Sequence, residues 1–133
     1  MKFILILTSV ASFLFGNNLF GEEKDLNHYY EIAKQNCQDI PSIREEMDRI
    51  NNDILRLLTE RSAYVKRAGD LKSKTTKVAD DRQRVADQEK KIFDKSIELG
   101  LPTDISLPAF KVIMETSIQF QQQYIDHLSL EGT

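Results

Sequence analysis

The chain has 133 residues, enough for one small domain, and a formal net charge of −3 at pH 7. An acidic total argues against nucleic acid as a partner, so any cationic site has to be local. Its one cysteine, Cys37, excludes a disulfide within the chain, and no Cys-x-x-Cys or histidine pair suggests a zinc site.

Residues 1–21 are typical of a secretory signal peptide. Lys2 supplies the positive start and is followed by a mostly apolar run from Phe3 to Phe15. This run is short of the ~20 residues that span a bilayer, which favours cleavage over a membrane anchor. We therefore expect a periplasmic or secreted protein with no membrane attachment after cleavage, in which residues 22–40 form a short helix or an extended polar lead-in.

A long helix is predicted from Pro41 to about Lys74, with Ser42 as its N-cap and Glu45 as the capping-box partner. Apolar side chains recur along it in steps of three and four residues, which is the spacing of one buried helix face. This stripe consists of Ile43, Met47, Ile50, Ile54, Leu58, Val65 and Ala68. A helix this long needs packing partners on both of its halves.

Two cations, Arg61 and Lys72, interrupt that stripe. Eleven residues rotate a helix by about 1100°, so the two side chains lie within about 20° of each other and line one groove. Arg44 lies about 100° from that direction and would serve a different cavity, which in a dimer is the partner's. A lone arginine on an apolar stripe usually extends to solvent, but two buried cations cost free energy unless an anion pairs with them. The pattern therefore suggests a cavity built for an anion.

Two further helices follow a polar loop. The second is predicted to begin at Asp80 or Asp81 and to end at Gly100, a residue type favoured just past a helix C-terminus. The third is predicted to open between Thr103 and Pro108, since proline is tolerated in a first helical turn.

Polar residues also interrupt the buried faces of these two helices. Arg84 and Gln88 lie one turn apart on the second helix. Ser117 and Gln121 lie one turn apart on the third, for which Ser106 is the candidate cap. A polar layer can fix the register of a helical bundle, and Ser117 and Gln121 could bond each other. However, structural networks usually balance arginine with buried carboxylate, and only one acid, at the start of the second helix, lies near these faces.

The predicted fold is all-α: a three-helix chain with one long helix, which forms an intertwined helical homodimer. The absence of tryptophan and the scarcity of glycine argue against β-rich and glycine-loop architectures. A second copy is the simplest cover for a stripe that three helices cannot enclose. The helical domain is placed at residues 41–128, followed by a C-terminal tail at 129–133.

Short motifs along this domain have a joint spacing that is more specific than any one of them. They are Ile43–Ile50 and Leu57–Arg61 in the first helix, Gly69-Asp70-Leu71-Lys72 near its end, Asp81–Arg84 in the second and Ser117–Gln121 in the third. Together they resemble the all-helical chorismate mutase family over residues 41–128 without a gap, including its Gly-x-x-Lys and Ser-x-x-x-Gln patterns.

The resemblance implies an isomerase that rearranges chorismate to prephenate in aromatic amino acid biosynthesis, with no metal or cofactor. It implies catalytic roles for three residues: Lys72 bonds a carboxylate and the ether oxygen, Gln121 donates to the ether oxygen, and Arg84 holds the side-chain carboxylate. The other matching positions are implied substrate contacts: Arg44 from the other subunit and Arg61 at carboxylates, Ser117 supporting a carboxylate, and Asp81 at the ring hydroxyl or the loop.

One position departs from the family pattern. Many members carry glutamate directly after the arginine of the second helix, where it accepts from the ring hydroxyl, whereas this chain has Val85. Gln88, one turn past Arg84, could take over that role. Related isochorismate-pyruvate lyases share the fold and also lack the glutamate, so lyase activity stays an alternative, although Ser117, Asp81 and Gln88 favour the mutase. A non-catalytic secreted helical interaction protein would account for the stripes but not for their cationic gaps.

Overall fold

Four α-helices account for the regular structure of residues 21–132, the part of the chain that the computed structural model describes, and no strand occurs there. In chain order they are α1 (Gly21–Asn36), α2 (Ile40–Lys72), α3 (Arg82–Leu99) and α4 (Thr103–Glu131). The all-α class is confirmed. The predicted signal peptide, apart from its last residue, lies outside the described residues.

The expected three-helix count is wrong, because the polar segment before the long helix is itself helical as α1. No proline interrupts residues 22–40, and Lys34 pairs with Glu31 one turn earlier. Lys34 also lies in the last turn, where a cation complements the helix dipole. In addition, α1 packs against α3, so it belongs to the helical assembly rather than to an extended lead-in.

The long helix α2 begins slightly earlier than predicted, because its N-cap is Asp39 rather than Ser42. The Asp39 carboxylate accepts the backbone N–H of Ser42 at 2.8 Å, and the Ser42 hydroxyl donates to the Asp39 carbonyl at 2.9 Å. The hydrogen bond to Ser42 lowers the pKa of Asp39. With 33 residues, α2 is about 50 Å long and exceeds the length of either helix that follows it.

The ends of α3 agree with the sequence prediction, and α4 begins within the predicted range, but its predicted cap is wrong. Asp81 caps α3, and Gly100 ends it in the left-handed conformation at φ 68°. However, α4 begins at Thr103 without a side-chain cap. Ser106 lies inside this helix, where its buried hydroxyl bonds that of Ser96 at 2.6 Å. The predicted cap is therefore wrong because Ser106 joins α4 to α3 instead.

The helix α4 lies at the centre of the packing, in contact with both α2 and α3. Few apolar side chains are buried in the described part of the chain: only Ala79 and Met114 are, with 4% and 3% of their surface exposed. The N-terminal half of α2 stays open, with Met47 50% and Ile54 48% exposed. None of the helices within residues 21–132 has the length and apolar content needed to cross a membrane.

Candidate active site

A cavity of about 400 Å³ opens between α2, α3 and α4. It gathers seven of the eight residues that the sequence singled out: Arg61, Lys72, Asp81, Arg84, Gln88, Ser117 and Gln121. The exception is Arg44, which lies exposed near the start of α2 and does not line this cavity. The helices therefore bring together side chains that are up to 60 residues apart in the sequence.

Lys72 and Gln121 meet directly at one end of this cavity. The Lys72 ammonium donates to Gln121 Oε1 at 2.9 Å and to the Ala79 carbonyl at 3.4 Å. Gln121 is only 5% exposed, and its Nε2 donates to the Val65 carbonyl at 2.7 Å. Because an ammonium only donates and a carbonyl only accepts, these two partners fix the orientation of the amide. The second N–H of Gln121 has no partner within residues 21–132.

Arg61 is held from α4 by the hydroxyl of Ser117. The Arg61 Nη1 donates to Ser117 Oγ at 2.6 Å, and the same hydroxyl donates to the Ile113 carbonyl one turn earlier on α4. A serine hydroxyl has one hydrogen to give. In this arrangement Ser117 acts as an acceptor that orients the guanidinium, and its own hydrogen is committed to the helix backbone.

Arg84 and Gln88 line the α3 side of the cavity. The Asp81 carboxylate accepts the backbone N–H of Arg84 at 3.0 Å, so the cap of α3 fixes the backbone that carries this arginine. The Arg84 guanidinium is exposed and forms no hydrogen bond or ion pair with another described residue. Gln88 is half-buried one turn further on, and Val85 adds an apolar surface between them.

The cavity has an excess of positive charge although the chain is acidic. Three cations, Arg61, Lys72 and Arg84, line it together with a single carboxylate, that of Asp81. None of the three forms an ion pair within residues 21–132, whereas most other arginines of α2 and α3 there do. Uncompensated cations in a partly enclosed space attract an anion. The arrangement is therefore suited to a small dianionic ligand.

The cavity is flanked by an ion-pair network that the sequence did not reveal. Arg82, at the start of α3, pairs with Asp80 and with Glu115 of α4, the latter at 2.7 Å. The hydrogen bonds to Glu115 and Asp80 raise the pKa of Arg82, and the bond from Arg82 lowers the pKa of Glu115. This network connects the loop before α3 to α4, next to Asp81.

A second unpredicted contact lies beside Lys72. The Tyr124 hydroxyl on α4 donates to Asp70 Oδ1 on α2 at 2.5 Å. This bond lowers the pKa of Asp70 and raises the pKa of Tyr124. Tyr124 follows Ser117 by seven residues, or about two helical turns, which is the only sequence signal that it faces inward. Its partner, 54 residues away, has no such signal.

A separate groove of about 750 Å³ lies between α3 and α4. Its lining is mainly apolar and includes Ile92, Phe93, Leu107, Pro108, Phe110 and Met114. This groove shares only Met114 with the cationic cavity and lies nearer the N-terminal end of α4, from Leu107 to Met114, whereas the cavity lies further along the helix.

Comparisons with known proteins agree with the chemistry of the cationic cavity. The chorismate mutase type II family matches residues 43–122. A bifunctional chorismate mutase/prephenate dehydratase of Aquifex aeolicus is 40% identical over 63 residues, which cover 47% of this chain and 16% of that protein. A chorismate mutase of Methanocaldococcus jannaschii is 27% identical over 93 residues, which cover 67% of this chain and 90% of that protein. No solved structure matches at a significant level.

Proposed function

The chain belongs to the chorismate mutase type II family, and from this premise we propose that it is an isomerase that rearranges chorismate to prephenate. The observation that carries the proposal is the convergence of Arg61, Lys72, Arg84 and Gln121 on one cavity. The rearrangement is a pericyclic Claisen reaction within one molecule, so it requires no nucleophile and no proton transfer. The site has two tasks: to fold an extended dianion and to stabilise charge in the transition state.

The first task, orientation of the substrate, falls to the two arginines. A guanidinium binds a carboxylate through two parallel hydrogen bonds, which fixes direction as well as distance. Arg84 presents an unpaired guanidinium, and Arg61 is preorganised by Ser117. We assign one substrate carboxylate to each. Holding both carboxylates in a chair-like substrate converts binding energy into a lower barrier.

The second task is stabilisation of the negative charge that grows on the breaking ether oxygen. We assign it to the Lys72 ammonium, which donates to Gln121 Oε1 at 2.9 Å, and to the N–H of the same Gln121 amide that has no partner within residues 21–132. Gln121 is buried and tied to the Val65 carbonyl, so it does not need to reorient during the reaction. Donors fixed in this way are typically worth about 3–4 kcal/mol each in the transition state.

The ring hydroxyl of the substrate would be bound on the α3 side. The Gln88 amide there has no hydrogen-bond partner among residues 21–132 and can accept from the hydroxyl, with Asp81 at the rim of the same wall. Val85 supplies no acceptor. Because no carboxylate directly follows Arg84, isochorismate-pyruvate lyase activity in the same cavity is a second candidate function.

We further propose that two copies of the chain form an intertwined homodimer. One surface of this dimer is the exposed stripe formed by Ile43, Met47, Ile50 and Ile54. In the proposed dimer it packs into the apolar groove of about 750 Å³ between α3 and α4 of the second copy. Burial of two such surfaces is the usual driving force for a dimer of helices. Arg44 lies on this N-terminal half, about 26 Å along the helix from Arg61, and would complete the partner's cavity.

Export of the enzyme to the periplasm or the medium is a separate proposal. It rests on the sequence of residues 1–21, with its positive start and mostly apolar run. Fractionation of cells that produce the full chain tests it: the protein is expected outside the cytoplasm with about 21 residues removed. A full-length cytoplasmic product would contradict it.

One assay distinguishes the candidate functions. The purified protein is incubated separately with chorismate and with isochorismate, while chorismate consumption is followed by ultraviolet absorbance and pyruvate release is measured enzymatically. A mutase consumes chorismate and forms prephenate without pyruvate. A lyase releases pyruvate from isochorismate, and a helical interaction protein acts on neither substrate. Failure to consume chorismate would overturn the proposed function.

A further inference from the structure

Besides the bond from Gln121 to the Val65 carbonyl, three hydrogen bonds between two side chains join α2 to α4 in the described part of the chain. Two of them, Arg61–Ser117 and Lys72–Gln121, connect residues that line the cavity. The third connects Asp70 to Tyr124, neither of which lines it. A substrate that binds Lys72 and Arg61 competes for the first two bonds. The Asp70–Tyr124 bond is left intact when the cavity is filled.

Tyr124 and Gln121 contact the same point of α2. A Cβ atom added to Gly69, the one buried residue of α2, would lie 3.0 Å from Tyr124 Cδ1 and 3.4 Å from Gln121 Cγ. The two side chains are therefore packed over Gly69 at the closest approach of the helices. Since they are three residues apart on α4, any rotation of this helix moves both of them together.

The hydrogen bond between Tyr124 and Asp70 is the main reason that the pKa of Asp70 is lowered and the pKa of Tyr124 is raised. Both shifts favour the phenol and the carboxylate forms that this bond requires. Arg67 adds a second partner for the Asp70 carboxylate at 3.3 Å, and the Lys66 ammonium lies 4.9 Å from the centre of the Tyr124 ring. A phenol that donates to a carboxylate makes a short, charge-assisted bond with a defined direction.

We propose that Tyr124 and Asp70 are positioning residues for the rearrangement. Their hydrogen bond fixes the rotation and axial register of α4 on α2, and thereby holds the Gln121 amide beside the Lys72 ammonium. This inference rests on the proposed function. Without the bond, Gln121 would keep only Val65 as an anchor once the substrate engages Lys72. A displacement of about 1 Å at such a donor can cost about 100-fold in rate.

The first test is Tyr124→Phe, which removes the hydroxyl and keeps the ring over Gly69. We expect kcat to fall by about 10- to 100-fold while KM stays close to the wild-type value, because the arginines that bind the carboxylates are untouched. The matched control is Tyr29→Phe, which removes an exposed hydroxyl on α1 that has no hydrogen bond within residues 21–132. Asp70→Asn retains an oxygen acceptor and should lose less activity than Asp70→Ala.

A double-mutant comparison separates positioning from simple loss of stability. If Tyr124 acts through Gln121, then Tyr124→Phe should reduce kcat no further in a Gln121→Ala background. Circular dichroism and urea unfolding of each variant establish that it is folded at the assay temperature. An equal loss of kcat in both backgrounds would overturn the inference, as would wild-type kcat in Tyr124→Phe while the wild type converts chorismate. A wild type without turnover would overturn the proposed function and this inference together.

Discussion

The two halves of α2 carry one continuous stripe but have different surroundings. In the N-terminal half, Met47 and Ile54 keep about half of their surface exposed, and side-chain hydrogen bonds stay within the helix and its cap. In the C-terminal half, Arg61, Lys72 and Asp70 all bond side chains of α4. The spacing of apolar residues in steps of three and four does not by itself distinguish the two halves.

This difference shows that periodicity reports an apolar face without reporting what covers it. The C-terminal half is covered by α4 of the same chain, so the cations on its stripe become part of a cavity. The N-terminal half remains largely uncovered among residues 21–132. Arg44, near its start, has no hydrogen bond or ion pair within those residues. If the proposed homodimer forms, both halves of α2 contribute cations to an active site. The C-terminal half contributes to the site of its own subunit, and the N-terminal half contributes Arg44 to the site of the partner.

The largest expected effect comes from the C-terminal half. Lys72→Ala and Arg84→Ala should each reduce kcat/KM by about 10²- to 10³-fold, because each removes a cation that no neighbour replaces. Helix content by circular dichroism and subunit number by light scattering should not change. Lys74→Ala is the matched control, since Lys74 is exposed two residues beyond Lys72 and does not line the cavity. Near-normal turnover in either site variant would refute the assignment of the cavity.

The next effect tests whether the N-terminal half serves a partner. Arg44→Ala should be nearly inactive alone, and co-expression with Lys72→Ala should restore activity, because each heterodimer then contains one intact site. Random pairing gives about one quarter of wild-type activity. Lys72→Ala co-expressed with Arg84→Ala is the control, since both changes fall in the same subunit's cavity and every site stays defective. No recovery in the first pair, or equal recovery in both, would contradict a shared site.

A smaller effect is expected when only the shape of a cation changes. Arg61→Lys keeps the charge but loses the two-point geometry and the bond to Ser117 at 2.6 Å. We expect KM to rise by about tenfold with a smaller change in kcat. Arg56→Lys, on the exposed face of the same helix, should leave both constants unchanged. If Arg61→Lys behaved like Arg56→Lys, Arg61 would not bind a substrate carboxylate.

Local rules predicted the helices, and helix geometry predicted which side chains face one cavity. Gly100 was identified as the end of α3, and Asp81 as one of two candidate starts beside Asp80, because capping depends on a few adjacent residues. Arg61 and Lys72 were placed on one groove because eleven residues make nearly whole turns of a helix. Asp39 was missed as a cap because Ser42 offers the same hydrogen-bonding chemistry next to Pro41.

Contacts between distant residues could not be predicted in the same way. The Asp70–Tyr124 bond joins positions 54 residues apart, and neither sequence position alone indicates a partner. Likewise, the orientation of the Gln121 amide depends on the Val65 carbonyl, a backbone atom whose position is known only once α4 lies against α2. Ser117 was predicted to support a substrate carboxylate, and its hydrogen bond from Arg61 is a further contact that the sequence did not indicate.

The smallest expected effect is that of pH near neutrality on the activity of the cavity formed by the C-terminal half of α2. Gln121 has no proton to lose, and neither histidine of the chain lines the cavity. We therefore expect kcat/KM to be flat from about pH 6 to 8, where a histidine-like group would titrate. A steep change in that window would show that a titrating residue takes part in the reaction.

The stability of the α2–α4 contact should be independent of pH over a wider pH range, and urea unfolding measures it separately from activity. The folded-state pKa of Asp70 is lowered, so its contribution is complete above about pH 4 and is lost as the pH falls through the lowered value. The folded-state pKa of Tyr124 is raised, so its contribution is lost only as the pH rises above about 10 through that value. Urea midpoints should decline only beyond these limits. Asp70→Asn should weaken the decline in acid, leaving the parts due to Glu115, whose pKa is lowered by Arg82, and to Asp39, whose pKa is lowered by the hydrogen bond from Ser42. An unchanged acid limb in Asp70→Asn would mean that the Tyr124 bond does not hold the two helices together.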